Sequence, residues 1–123
     1  MPTTPERQQA ERWGRLAEMI TAWRYRLSGH RLIHHRYRCF HGEIDLIMAR
    51  GRSLVFIEVK FAHRRTAFSL EKTLPGARQQ ARITAAADHF LMQSGMVAEN
   101  IRFDVVVVRP PLSLQVFRDA IRR

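Results

Sequence analysis

Cysteine is almost absent from the 123 residues: Cys39 is the single one. One thiol excludes an internal disulfide framework, and so little cysteine is typical of proteins from reducing compartments. No uninterrupted apolar run exceeds four residues, whereas a membrane-spanning helix needs about 20. Residues 1–12 also lack the basic start and apolar middle of a secretory signal. These absences predict a cytoplasmic protein that does not span a membrane.

Acidic residues are scarce as well. The chain has 21 lysines and arginines against 11 aspartates and glutamates, a net charge of +10. There is no acid between Met19 and Gly42, and the basic segment from Lys60 to Arg82 contains one acid, Glu71. Such an excess favours polyanions, because a phosphate backbone releases counterions when it is neutralised. Ribosomal or membrane-surface binding would also suit this charge, so charge alone leaves the partner open.

The length and the apolar fraction of 46% are those of one soluble globular domain. We therefore expect a single domain over residues 1–123, with residues 1–10 as a flexible tail. Apolar spacing predicts a helix within 11–29, strands within 30–40 and 42–61, a helix from Pro75 to Gly95 and a strand over 101–109. For the amphipathic segment 112–123 we expect a short helix. The predicted fold is α/β, with one mixed sheet flanked by helices in the order α-β-β-β-α-β.

Two acids interrupt the apolar runs of the central hairpin: Asp45 in "GEIDLI" and Glu58 in "LVFIEVK". A turn centred after Gly51 pairs positions whose numbers sum to 103, so Asp45 should face Glu58. Ile44 and Leu46 should then share the other, apolar face. A hairpin with one solvated face is the ordinary explanation for such alternation. However, facing carboxylates are destabilising unless a cation binds between them.

A divalent ion would remove that repulsion. Mg²⁺ or Mn²⁺ suits two carboxylates, water and a substrate phosphate. Lys60 lies two residues after Glu58 and should share its face, where an ammonium group can orient water or neutralise the developing charge of phosphodiester hydrolysis. The pattern therefore predicts a metal-assisted hydrolytic site.

Asp45, followed on the next strand by Glu58-Val59-Lys60, resembles the core motif of the PD-(D/E)XK nuclease superfamily. Over most of residues 13–121 the chain also resembles the YraN-like family of small bacterial proteins, related to Holliday-junction resolvases. The strings that carry this resemblance are "GRLAE", "GEIDLI", "LVFIEVK", "AAADHFL" and "RFDVVVV". The resemblance implies a restriction-endonuclease-like core, Mg²⁺ or Mn²⁺ as cofactor, and cleavage of DNA, with branched or junction DNA as a candidate substrate.

The resemblance also implies residue roles. Asp45 and Glu58 match the metal-binding acids, Lys60 matches the motif lysine, and the carbonyl of Val59 matches a further ligand. Glu18 matches an acid that many resolvase-like members carry on the first helix, and a solvated helix residue is an equally good interpretation.

Two further positions stay open. Glu43 belongs to the "GEID" string and either binds metal or pairs with Lys60, its expected cross-strand neighbour. Gln79 stands where many relatives have a lysine, while Arg82 keeps the arginine of that pattern. Glutamine can bond to phosphate or water but carries no charge. This departure leaves open whether turnover is retained.

The leading hypothesis is a metal-dependent endonuclease acting on DNA rather than RNA, with a homodimer as one way to select branched substrates. Asp45, Glu58 and Lys60 would be its catalytic residues, with Glu18 and Gln79 secondary. The rival hypotheses are a non-catalytic nucleic-acid-binding module that retains the nuclease fold, and a scaffold whose acids are structural. The arginines expected to grip phosphates are Arg24, Arg26, Arg31, Arg36, Arg38, Arg64, Arg65, Arg78 and Arg82.

Overall fold

The computed structural model describes residues 4–62, 74–109 and 113–121. Within them the elements are α1 (Thr4–Leu27), β1 (Arg31–Cys39), β2 (Gly42–Arg50), β3 (Ser53–Phe61), α2 (Ala77–Ser94), β4 (Asn100–Arg109) and β5 (Ser113–Phe117). The predicted α/β class and the order α-β-β-β-α-β are confirmed, with one more strand at the end. Neither helix of the described residues combines the length and apolar character needed to cross a membrane.

The five strands form one mixed sheet in the order β1-β2-β3-β4-β5. β1, β2 and β3 are successive antiparallel neighbours, β3 and β4 are parallel, and β5 returns antiparallel to β4. The β2–β3 ladder pairs Ala49 with Leu54 and Leu46 with Ile57. These pairs confirm the predicted register, in which paired numbers sum to 103.

Within the described residues, one helix packs on each face of the sheet. On one face, α1 packs through Ala17 and Tyr25 on a cluster that includes Leu46 and Ile57. On the other face, α2 packs through its apolar stripe on a cluster that includes Phe56. Because both faces of the sheet are buried, the central strands consist of nearly continuous apolar residues, without the alternation of apolar and polar residues that a half-exposed strand shows.

The first helix begins earlier than expected. It starts at Thr4, so residues 4–10, for which we expect a flexible tail, are helical, and their side chains are exposed. Pro5 suits the first turn of a helix because its φ is already helical and its missing N–H would be unpaired there. Glu6 in the same turn complements the helix dipole.

The C-terminal segment forms a strand where we expected a helix. Val116 pairs with Val106 and Leu114 with Val108, so β5 extends the sheet beyond β4. Both side chains pack on the α1 face, and Gln115 between them is exposed. The two-residue period of Leu114 and Val116 was the sequence signal for this strand, and the edge of β4 supplied its hydrogen-bonding partner.

Gly42 fixes the β1–β2 hairpin against α2. A Cβ atom at this position would lie 2.9 Å from the carbonyl oxygen of Arg82. The Nε of Arg82 also donates a hydrogen bond to the carbonyl of His41, at 3.4 Å. The close approach that glycine permits therefore sets the distance between the hairpin and the beginning of α2.

We expect Gly42→Ala to lower the free energy of unfolding by about 1–3 kcal/mol, because the methyl group must push the hairpin away from the backbone of α2. Urea denaturation measures this change. Gly14→Ala is the matched control: it lies within α1 with nothing within 4 Å of its Cβ position, and should raise stability by about 0.5–1 kcal/mol. Equal stabilities of Gly42→Ala and the wild type would contradict the tight contact.

Candidate metal and nucleic-acid site

The predicted acids lie where β2 and β3 separate. The last pair of the ladder joins Leu46 and Ile57. Beyond it, the carboxylate of Asp45 accepts a hydrogen bond from the backbone N–H of Val59, at 2.7 Å. Asp45 thus binds the β3 backbone and does not form the ladder pair with Glu58 that we expected. The two carboxyls nevertheless stay close enough for the charge of Asp45 to raise the pKa of Glu58.

The alternation of side chains breaks at this point. Ile44 packs with Ile47 on the α2 face, whereas Leu46 packs on the α1 face. The expectation that Ile44 and Leu46 share one face is therefore wrong. On β1, Arg36 lies between the residues paired to Leu46 and Ile44, and its φ of 54° is left-handed. This local irregularity accompanies the change of face around Asp45.

Burial disfavours the ionised form of both carboxyl groups. It raises the pKa of Asp45 to about 6, with the nearby charge of Glu18 contributing, although the N–H of Val59 acts in the opposite direction. Burial and then the charge of Asp45 raise the pKa of Glu58 to about 8, while the ammonium group of Lys60 lowers it. Half-buried acids with raised pKa values retain protons near neutral pH or gain from a bound cation.

Glu18 belongs to this acidic cluster. Its side chain is 11% exposed, and its Oε1 accepts hydrogen bonds from the Nε2 of His35, at 2.7 Å, and the Nε of Arg36, at 3.1 Å. The solvated alternative for Glu18 is therefore wrong. His35, whose side chain is 47% exposed, is a site residue that no local pattern identifies, because this contact depends on how α1 packs on β1.

Glu43 lies at the rim of the cluster. It forms an exposed ion pair with Arg38, at 3.2 Å, and not the expected cross-strand pair with Lys60. The reason is that the β2–β3 ladder has already ended at Leu46. The charge of Glu43 still contributes to the raised pKa values of Asp45 and Glu58.

Two clefts meet at these acids. A cavity of about 720 Å³ opens between the β1–β2 hairpin and the beginning of α2, and its polar lining comprises Arg38, Glu43, Glu58, Arg78, Gln79 and Arg82. A second cleft, of about 330 Å³, lies beside α1 and contains Glu18, Arg36 and Asp45. Arg38 and Glu43 line both clefts. The structure thus brings all four acids named from the sequence, and five predicted phosphate or water contacts, to one region.

Three of the predicted arginines lie outside this region. Arg24, Arg26 and Arg31 are exposed near the end of α1 and the start of β1. Arg64 and Arg65 lie in residues 63–73, outside the described residues.

The carboxyl oxygens of Asp45 and Glu58 suit a hard divalent ion that also keeps ligands from outside the protein. Among the described residues, no group of three or more His, Cys, Asp or Glu side chains is arranged to hold a metal. A closed zinc-type site needs four protein ligands, whereas Mg²⁺ is commonly bound by one or two carboxylates together with water and substrate phosphates. Asp45 and Glu58, two neighbouring carboxyls with raised pKa values, fit the second type.

We expect Glu58→Gln to flatten the pH dependence of stability measured in EDTA. Because the folded pKa of Glu58 is raised, the folded state holds a proton that the unfolded state has lost, so the free energy of unfolding falls from pH 5 to pH 8. At pH 8 the free energy of unfolding of the variant, measured by urea denaturation, should exceed that of the wild type by about 1–2 kcal/mol. Glu99→Gln, an exposed acid paired with Arg52 at the opposite end of β3, is the control. If the free energies of unfolding of Glu58→Gln and the wild type differ by the same amount at every pH, the pKa of Glu58 is not raised in the folded state.

Comparison with known proteins identifies the family. The model of "Uncharacterised protein family UPF0102" matches residues 17–108. A UPF0102 protein of Rhizorhabdus wittichii is 44% identical over 104 residues, which cover 85% of this chain and 86% of that protein. A UPF0102 protein of Maricaulis maris is 44% identical over 109 residues, which cover 87% of this chain and 83% of that protein. One of Moorella thermoacetica is 35% identical over 97 residues, which cover 79% of this chain and 80% of that protein. Since the family model covers most of the folded chain, from the middle of α1 to the end of β4, the protein belongs to the UPF0102 family.

Proposed function

We propose that this protein is a divalent-metal-dependent nuclease that hydrolyses phosphodiester bonds of DNA where the two clefts meet. The observation that carries the proposal is the pair of half-buried carboxyls, Asp45 and Glu58, held together at the end of the β2–β3 ladder with raised pKa values. The helix and strand order, with Glu58-Val59-Lys60 on the strand after Asp45, agrees with the PD-(D/E)XK superfamily. Membership of that superfamily is part of the proposal.

In this proposal, Asp45, Glu58 and the carbonyl of Val59 hold Mg²⁺ or Mn²⁺. When bound, such an ion polarises a phosphoryl oxygen and acidifies a water molecule. The hydrogen bond from the N–H of Val59 orients the carboxylate of Asp45. Lys60 holds the attacking water or balances the negative charge that grows on the phosphate. Glu18, whose carboxylate is bound by His35 and Arg36, positions the acidic cluster.

The beginning of α2 provides the phosphate contacts. Arg78, Gln79 and Arg82 lie in the first turns of this helix, and its first turn has no acidic residue. A helix N-terminus favours anions through its free N–H groups and its dipole. Contacts of this kind hold the backbone without reading sequence. A preference for branched DNA would then come from shape, with a homodimer as one way to present two sites in the cytosol.

A non-catalytic nucleic-acid-binding module is the second candidate. Two observations favour it: the described residues contain no group of three or more His, Cys, Asp or Glu side chains arranged to hold a metal, and Gln79 stands where the resemblance implies a lysine. The basic clefts would then bind nucleic acid while the acids serve only the fold.

We expect labelled linear, flapped and four-way DNA to be cleaved by the wild type in Mg²⁺ or Mn²⁺ but not in EDTA. Asp45→Ala and Glu58→Ala should each lower the cleavage rate about 100-fold or more, because each removes a metal-binding carboxylate. DNA binding, measured by gel shift in EDTA, should persist or increase, since each variant removes negative charge beside the phosphates.

Glu99→Gln provides the charge-matched control, because Glu99 is an exposed acid paired with Arg52 at the opposite end of β3. This variant should cleave at the wild-type rate. DNA retention without metal-dependent product from any protein would support the binding module instead. Equal cleavage by the wild type, Asp45→Ala and Glu58→Ala would show that these acids are not the catalytic site.

A further inference from the structure

A basic cavity lies at the other end of the sheet from the acids. Its volume is about 310 Å³, and it opens between the end of α1 and the adjoining ends of β2 and β3. Four arginines contribute to its lining: Arg24, Arg50, Arg102 and Arg118. No acidic residue is among the described residues that line it. Only Arg24 was among the phosphate contacts predicted from the sequence.

One of these arginines has a buried counter-charge beneath the cavity. Asp104 is fully buried and accepts hydrogen bonds from the hydroxyl of Tyr25, at 2.6 Å, from the Nε of Arg102, at 3.0 Å, and from the N–H of Asp119, at 2.9 Å. This network anchors Tyr25 and Arg102, which both line the cavity. Asp104 thus provides a hydrogen-bonded negative charge for Arg102, the one arginine of the lining with which it forms an ion pair among the described residues.

The other arginines extend over the cavity from separate elements. Arg24 donates to the hydroxyl of Ser28, at 3.3 Å. The Nε of Arg50 lies 3.7 Å from the position that a Cβ at Gly29 would occupy, so its side chain reaches across to the turn after α1. Within the part of the chain that the structure describes, neither Arg24 nor Arg50 forms an ion pair with a carboxylate.

Converging guanidinium groups repel one another unless an anion lies between them. A guanidinium presents several N–H donors in a fixed planar arrangement that matches the oxygens of a phosphate, often through two parallel hydrogen bonds. The hydroxyl-bearing residues Ser28 and Ser53 also line the cavity. Its volume falls at the lower end of the range for small-molecule sites, which suits a phosphate group with part of its nucleoside.

We propose that this cavity binds a phosphate group, supplied either by a nucleic-acid backbone or by a free nucleotide. Ser53 lines the cavity and Glu58 lies five residues later on β3, so the two sites are roughly 16 Å apart along the strand. That separation equals the axial rise of about five base pairs of a duplex. One short nucleic acid is therefore long enough to extend from one site to the other. The nucleic-acid source rests on the proposed function, whereas the phosphate chemistry of the cavity does not.

The test uses the arginine Nε–H resonances of the full chain in EDTA, which prevents metal-dependent cleavage. Inorganic phosphate, a deoxynucleoside 5′-monophosphate and a short DNA duplex are titrated separately. We expect the resonances of Arg50 and Arg118 to shift with at least one probe. Arg50→Gln/Arg118→Gln should bind that probe about 10-fold more weakly, and if the probe is the duplex, the salt slope of binding should fall by about 1–2.

A double variant with the same loss of charge serves as control. Arg7→Gln/Arg12→Gln changes two exposed residues of α1 outside the cavity and should bind the probe as the wild type does. Shifts with the duplex alone assign the cavity to a nucleic-acid backbone, and shifts with phosphate or the monophosphate assign it to a free nucleotide; both support the proposal. No shift at Arg50 or Arg118 with any probe at millimolar concentration, or equal weakening by the control variant, would overturn it.

The two proposals can fail independently. If Asp45 and Glu58 prove irrelevant to cleavage while Arg50 and Arg118 still respond to phosphate, the nuclease proposal fails and the cavity remains a phosphate site. If cleavage depends on the acids but the arginines do not respond, only the second site is lost. Circular dichroism and thermal melting of each variant separate loss of binding from loss of fold.

Discussion

The carboxyl groups of Asp45 and Glu58 repel each other when ionised, and they lie close together where β2 and β3 separate. The candidate site depends on the groups that reduce this repulsion. The N–H of Val59 binds Asp45, and Lys60 lowers the pKa of Glu58. Neither interaction offsets burial, since both pKa values remain raised. A protein can retain such an arrangement at neutral pH when protons or a cation neutralise it. The destabilised pair is therefore the physical basis of the proposed metal site.

Charge is distributed unevenly along the sheet. At one end, the acidic cluster is bordered by arginines, some of which are already paired with acids, as Arg36 is with Glu18 and Arg38 with Glu43. At the other end, four arginines surround a cavity whose described lining has no acid. At the first end several charges are paired within the protein, while at the second only Arg102 has a carboxylate partner among the described residues, and an external anion would offset the surplus of positive charge. Both features are consistent with a phosphate-rich ligand contacting each end.

The sequence predicted regular features well and irregular ones poorly. The β2–β3 register follows from the turn at Gly51 and holds through Leu46. It fails where the ladder ends, and for that reason Glu43 pairs with Arg38 instead of Lys60. A strict two-residue period likewise placed Ile44 on the wrong face, because periodicity cannot reveal where a strand becomes irregular. The strand β5 was missed because five residues are too few for periodicity to distinguish a strand from a helix, and the free edge of β4 decided between them.

The sequence by itself determined the α/β class, the central hairpin, the two acids on adjacent strands and the excess of positive charge, because these depend on side-chain type and local periodicity. Tertiary structure decided between the two interpretations of Glu18 and brought Arg78 and Gln79 beside the acids. It alone revealed that Arg50, Arg102 and Arg118 line one cavity at the opposite end. These residues lie far apart in the chain. Their proximity arises from how the helices pack and how the strands are ordered, which no local pattern records.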